Sequence, residues 1–159
     1  MWVTARGLIE QSLTLYRETD NRFGMGWALW TLAFIAFRTD RFDKAIHPAT
    51  EALLVFAEGN DLSGIVMCLF GMALGARQIG AKDSLWRLAG ATDTFITKLD
   101  VGIDPDVLRS IGLEPFERPT DDLDAQRAWD AGAVMTIEET VSYALELAPT
   151  LSSTLAAHR

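Results

Sequence analysis

Residues able to carry chemistry are scarce in this chain. Of its 159 residues, one is cysteine and two are histidine. Cys68 has no partner for an internal disulfide and sits in an apolar helical stretch, where a thiol is expected to be buried and inert. His47 lies beside Pro48 and His158 lies next to the C-terminus, so neither belongs to a zinc cluster or a Cys–His pair. Gly71, Gly75 and Gly80 are not followed by the Lys-Ser/Thr of a phosphate-binding loop, and no serine stands in a nucleophile elbow. Basic residues number 14 against 22 acidic, a net charge of −8. That balance argues against a phosphate-backbone ligand, which cations must neutralise. Long apolar runs are missing too. The chain is 49% hydrophobic, yet its longest runs, 27–37 and 64–76, fall short of the ~18–20 residues of a membrane span. No basic stretch followed by an apolar core opens the N-terminus, so no signal peptide is read. The expectation is a cytoplasmic, non-enzymatic chain with no metal, no cofactor, no membrane contact and no direct nucleic-acid contact.

What is present is a repeat. A shift of 40 residues carries Gly24 onto Gly64, Leu29 onto Leu69, Ala33 onto Ala73, Ala36 onto Ala76 and Asp43 onto Asp83. The same shift carries Ala5 onto Ala45, Leu13 onto Leu53, Tyr16 onto Phe56 and Glu18 onto Glu58. A period of that size marks a repeat array whose single units cannot bury their own apolar face. The organising unit runs from Phe23 to Asn60, two antiparallel helices joined by the turn Thr39-Asp40-Arg41-Phe42.

Taken in order, residues 3–19 read as an amphipathic helix with Leu8, Ile9, Leu13, Leu15 and Tyr16 at helical spacing. In register it is the second half of a unit, so the chain is expected to begin mid-repeat, as a fragment or a natural truncation. Residues 25–38 read as a helix apolar nearly all round, hence buried on several sides. Residues 42–57 return, with Pro48 expected to bend the helix or move its start toward His47. Residues 62–78 and 82–99 repeat the pair. Gly71 and Gly75, four apart, mark either a helix-contact groove or close packing against neighbours such as Trp30 or Phe34. Past Asp100 the period decays. Asp104-Pro105 starts a short helix in the slot of a third inner helix. Thr120 with Asp121 and Asp122 caps another, closed by Gly132. Thr136-Ile-Glu-Glu139 is a capping box opening a last helix, which Pro149 is expected to stop after Leu147. The acidic pairs at 121–122 and 138–139 suit the positive ends of helices rather than a metal. The expected organisation is helix-pair repeats over 1–102, capping helices packed on them over 103–149 and a flexible tail over 150–159.

The turn-and-return unit resembles a tetratricopeptide repeat. Its small-residue positions would be Ala33, Ala45 and Ala52, with Leu29 and Leu32 at larger inner sites. In the next unit they would be Ala73, Leu85 and Thr92, with Leu69 and Met72. The period of 40 exceeds the usual ~34, the terminal proline is missing, and Ala36 and Ala76 replace a common tyrosine. Longer helices are therefore expected. A narrower resemblance rests on Leu13-Thr-Leu-Tyr-Arg-Glu-Thr-Asp20 followed by Arg22-Phe-Gly-Met-Gly-Trp-Ala-Leu29. The ending Trp129-Asp-Ala-Gly132 with Met135-Thr-Ile-Glu-Glu-Thr-Val141 adds to it. These runs are similar to the C-terminal repeats of large actinobacterial transcriptional and signal-transduction regulators, ATPases of the LuxR family or fused to a nucleotide cyclase. The resemblance implies an all-α, tetratricopeptide-like solenoid with a helical cap, acting as a non-catalytic module of a regulator that binds a protein or peptide. The alternative is a small-molecule sensor with an apolar pocket between inner helices.

Transferred onto the repeat register, the concave partner-binding face would comprise Trp27, Trp30, Phe34, Phe37 and Arg38, then Met67, Phe70, Leu74, Arg77 and Gln78. So much apolar surface is expected to be covered. It would be covered by the chain's own last helix through Ile137, Val141, Tyr143 and Leu145, or by a partner's amphipathic helix. The first helix lacks a preceding inner helix to pack on, which predicts a homodimer through Leu8, Leu15 and Tyr16.

Overall fold

The computed structural model describes residues 1–158. Its first five helices form a strict series: α1 Trp2–Glu18, α2 Arg22–Arg38, α3 Phe42–Glu58, α4 Leu62–Gln78 and α5 Lys82–Lys98, each of 17 residues. They begin every 20 residues because the turns between them are built alike. Asp20, Asp40, Asn60, Gly80 and Asp100 all adopt the left-handed conformation, with φ of 50°, 54°, 51°, 72° and 47°. Aspartate, asparagine and glycine are the residues that enter that region at least cost. In the first four turns the next residue's N–H reaches back to the last turn of the helix. Asn21 donates to the Tyr16 carbonyl, Arg41 to Ala36, Asp61 to Phe56 and Ala81 to Ala76, at 2.8–2.9 Å. These are the reverse-turn bonds of a Schellman motif, which satisfy carbonyls a helix end would leave bare.

The inner helices α2 and α4 are also capped alike. Asn21 accepts from the Gly24 N–H at 2.9 Å and Asp61 from the Gly64 N–H at 3.0 Å. A side-chain cap of this kind contributes about 0.5–2 kcal/mol. It fixes the start of α2 at Arg22, three residues before the expected start. Pro48 lies inside α3 without ending it.

Antiparallel neighbours pack in chain order: α1 on α2, α2 on α3, α3 on α4, α4 on α5. The fold is an all-α array of helix pairs with a C-terminal helical cap. Close approach depends on alanine. Ala33, Ala45, Ala49, Ala52, Ala73 and Ala76 are wholly buried and belong to one continuous apolar cluster.

Three more helices follow among the described residues: α6 Pro105–Ser110, α7 Leu123–Ala133 and α8 Ile137–Ala157. The helix packed along α5 is α7 rather than the 105–111 helix expected there. Glycines set that distance. A Cβ at Gly90 would strike the Trp129 carbonyl, and one at Gly132 would strike the Arg87 carbonyl. Gly132 therefore lies within α7 as a contact residue and does not close it.

The last helix corrects the sequence reading. Thr136 and Glu139 form the expected capping box, at 2.8 and 3.1 Å. The helix then passes Pro149 and runs to Ala157, so residues 150–157 are a packed helix where a frayed tail is expected. Interior proline costs about 3 kcal/mol. Leu151 and Leu155 are 0% and 5% exposed, and burying two such side chains gains about 1.5–3 kcal/mol each. Packing outweighs the proline, whose own side faces solvent. None of the described helices is long and apolar enough to cross a membrane.

Candidate functional site

The expected concave face is largely closed by the chain itself. Trp30, Phe37, Met67 and Phe70 are buried, Trp27, Phe34 and Leu74 half-buried, and only Arg38, Arg77 and Gln78 exposed. The cover is the segment around α6. The Phe116 ring lies 4.7 Å from that of Phe70, with the Arg77 guanidinium 6.0 Å above it. Gly112 packs beneath the Arg38 guanidinium, and Leu108 and Leu113 join the central cluster. Aromatic packing absorbs the remainder: Trp30 meets Phe34 and Phe37, and Trp27 stands edge-on to Phe56 at 5.0 Å.

The last helix lies elsewhere. α8 packs on α3, α4 and α5 through Thr140, Ala144, Ala148, Leu151 and Leu155. Ile137, Val141, Tyr143 and Leu145, the residues expected to plug the concave face, are half-buried along this different seat. Leu151 lies against Gly75, whereas Phe70 meets the α6 segment. Those two α4 positions are about 140° apart at ~100° per residue, so the two covers lie on different sides of α4.

An open groove of about 620 Å³ lies between α1 and α3, floored by α2. The α1 wall carries Trp2, Val3, Arg6, Glu10, Leu13 and Arg17. Leu29, Leu32, Ile35, Ala36 and Thr39 form the floor, and Arg41, Lys44, His47, Pro48 and Glu51 the far wall. Arg17 spans the groove to Glu51 at 2.7 Å, and Arg22 reaches from the head of α2 to Glu58 at the end of α3. Pro48 has no N–H to give the Lys44 carbonyl, so this wall loses one helical hydrogen bond.

The repeat relates this open groove to the one α8 fills. Phe42 and Ile79 line a depression with Leu155, and Ile46 and Gly75 stand at Leu151. Ser84 Oγ accepts from the Tyr143 hydroxyl at 3.0 Å, and the Arg87 guanidinium lies 5.5 Å over the Tyr143 ring. Moved back 40 residues, these six positions become Trp2, Thr39, Arg6, Ile35, Lys44 and His47, and every one lines the open groove. The α8 seat and the open groove are thus the same surface in successive repeats. Sequence reasoning placed binding on the inner-helix face and did not single out this side. The available signal was Arg6, Lys44 and His47 standing where the next repeat has Ile46, Ser84 and Arg87.

Of the expected dimer residues, Leu8 and Leu15 are each 59% exposed. Tyr16 instead packs its ring over Gly24, and Phe56 repeats that contact over Gly26 and Gly64. Tyr16 thus has a place in the chain's own helix packing. Cys68 is wholly buried, and burial, helped by the charge of Asp61, pushes its thiol well above the ordinary range. No three His, Cys, Asp or Glu among the described residues are grouped to hold a metal ion.

No protein-family model matches the chain, and neither a curated protein nor a solved structure does.

Proposed function

We propose that the chain is a non-catalytic, cytoplasmic protein-interaction module of a signal-transduction or transcriptional regulator. It would work as tetratricopeptide-like arrays do, by seating a segment of another protein between helices. The observation that carries this reading is the pair of register-related grooves, one filled by a helix and the other open. A helix in such a groove has its apolar face covered on three sides, which is the helix-in-groove mode of recognition. The covered inner face leaves Arg38, Arg77 and Gln78 as its accessible contact points, and this reading puts the main partner surface between α1 and α3. The exposed pair Leu8 and Leu15, on one side of α1, would join two copies into a homodimer.

A second reading, a small-molecule sensor, draws on the groove's volume, which falls within the ~300–1,000 Å³ typical of ligand pockets. Thermal-shift measurements separate the two. Helical peptides held well above their dissociation constant should stabilise the chain by ~2–4 kcal/mol, and apolar metabolites should leave its melting unchanged. The reverse pattern would overturn the interaction reading.

A further inference from the structure

We propose that the groove between α1 and α3 receives an acidic amphipathic helix of a partner protein, seated as α8 is seated one repeat later. The inference rests on the interaction-module reading and adds the occupant's chemistry.

The occupied seat supplies the geometry. α8 buries Thr140, Ala144, Ala148, Leu151 and Leu155, a stripe at spacings of four, four, three and four residues that keeps one helix face inward. A helix in the open groove meets a floor of the same character, with Leu29 and Leu32 where the next repeat has Leu69 and Met72. Its contact stripe is therefore small and aliphatic.

The walls supply the charge. Arg6, Arg17, Arg41 and Lys44 line the groove against Glu10 and Glu51, with His47 beside them. This is a basic excess in a chain of net charge −8. Arg17 and Glu51 hold each other, Arg6 holds Glu10 at 2.8 Å, and Arg41 holds Asp43 at 3.4 Å. Lys44 lies 3.9 Å from Asp43 and is exposed. It stands where Ser84 meets the Tyr143 hydroxyl in the filled seat, so an occupant's residue at that point faces an ammonium instead of a hydroxyl. A carboxylate there makes a charge-assisted contact, and a lysine or arginine is repelled.

The floor also rules against a second copy's α8. Leu151 comes within 3.8 Å of where a Gly75 Cβ would be, and the equivalent floor residue is Ile35, buried and far larger. An occupant needs alanine or glycine at the position of Leu151, and α8 offers leucine. The matching helix belongs to another protein.

The test uses the full chain and two synthetic helical peptides, measured by fluorescence anisotropy. Both copy residues 137–157 with Leu151→Ala; one carries Tyr143→Glu and the other Tyr143→Lys. The acidic peptide should bind about tenfold or more tighter than the basic one. Lys44→Glu in the protein should reverse that order, and Lys44→Arg should preserve it. Lys44 is exposed, and circular dichroism of each variant confirms that the fold is retained. Equal binding of both peptides, or binding indifferent to Lys44→Glu, would overturn the acidic-helix assignment while leaving a helix-binding module. The second pattern would mean that the peptide displaces α8 from its own seat. Binding of neither peptide up to about 100 µM, with stabilisation by apolar small molecules, would overturn both readings.

Discussion

The ring of Tyr16 on α1 lies over Gly24 at the first turn of α2, so close that a Cβ on Gly24 would stand 2.6 Å from the ring's Cδ1. The contact fixes how α1 meets α2, and thereby the width of the open groove. Alanine at Gly24 must push aside a half-buried ring, while gaining about 0.5–1 kcal/mol of helix propensity. At Gly132 the obstacle is the Arg87 backbone carbonyl, which cannot swing away. Gly24→Ala should therefore change stability by less than about 1 kcal/mol, and Gly132→Ala should cost about 2–3 kcal/mol through overpacking. Urea denaturation reads both; equal midpoints would contradict the packing described for α5 and α7.

Ala33 and Ala73 occupy the same position in successive inner helices, and both are wholly buried. Ala33→Leu and Ala73→Leu should each cost ~1–3 kcal/mol. Glu10→Ala removes only a surface pair with Arg6 and should stay within about 1 kcal/mol of the parent. Equal midpoints for all three would sink the 40-residue register.

The seat of α8 makes the end of the chain structural. Leu151→Ala should cost about 2–5 kcal/mol, the range for truncating a buried leucine. Leu145→Ala, at a half-buried site, should cost clearly less. Deleting residues 137–159 should bare the apolar surface of α3 and α4 and give aggregation or a large loss of stability. A truncated chain that stays monomeric and melts like the parent would refute this seat.

Two aspartates should give pH dependence of opposite sign. Partial burial of Asp93 on α5 raises its carboxyl above the ordinary value, with Lys98 offsetting part of the effect. A raised pKa in the folded state means stability that is fully present below the unfolded pKa and is lost as pH rises through the folded one. Asp93→Asn should then stabilise the chain at neutral pH and have little effect in strong acid. Asp130 accepts from Arg118 at 2.9 and 2.7 Å, and those hydrogen bonds lower its carboxyl. Its contribution is present above the unfolded pKa and lost as pH falls through the folded one, so Asp130→Asn should destabilise modestly at neutral pH. Urea midpoints measured at both pH values for both variants check the signs.

Exposed Leu8 and Leu15 carry the dimer proposal. Light scattering should show a dimer for the parent chain and a monomer for Leu8→Glu combined with Leu15→Glu. A monomeric parent at about 100 µM, a concentration that would populate even a weak dimer, would remove it.

The sequence by itself determined the array. A left-handed turn residue every 20 positions and alanines at fixed intervals are local and periodic features. Their consequences, where helices stop and which faces touch, are settled between near neighbours in the chain. Start points missed by three residues, as at α2, reflect caps whose bonds are also local but whose first turn carries no apolar signal. Tertiary structure alone decided what covers each face. Periodicity shows that a face must be covered and does not identify the cover, because the contacts of Phe116 with Phe70 and of Leu151 with Gly75 join segments with no repeat relation. It also decided that α8 passes Pro149, since a local penalty was outweighed by the burial of Leu151 and Leu155 against helices 70 or more residues earlier in the chain. The open groove belongs to the same class. Its two walls are legible as helices, but its kinship with the seat of α8 became visible only once α8 was in place.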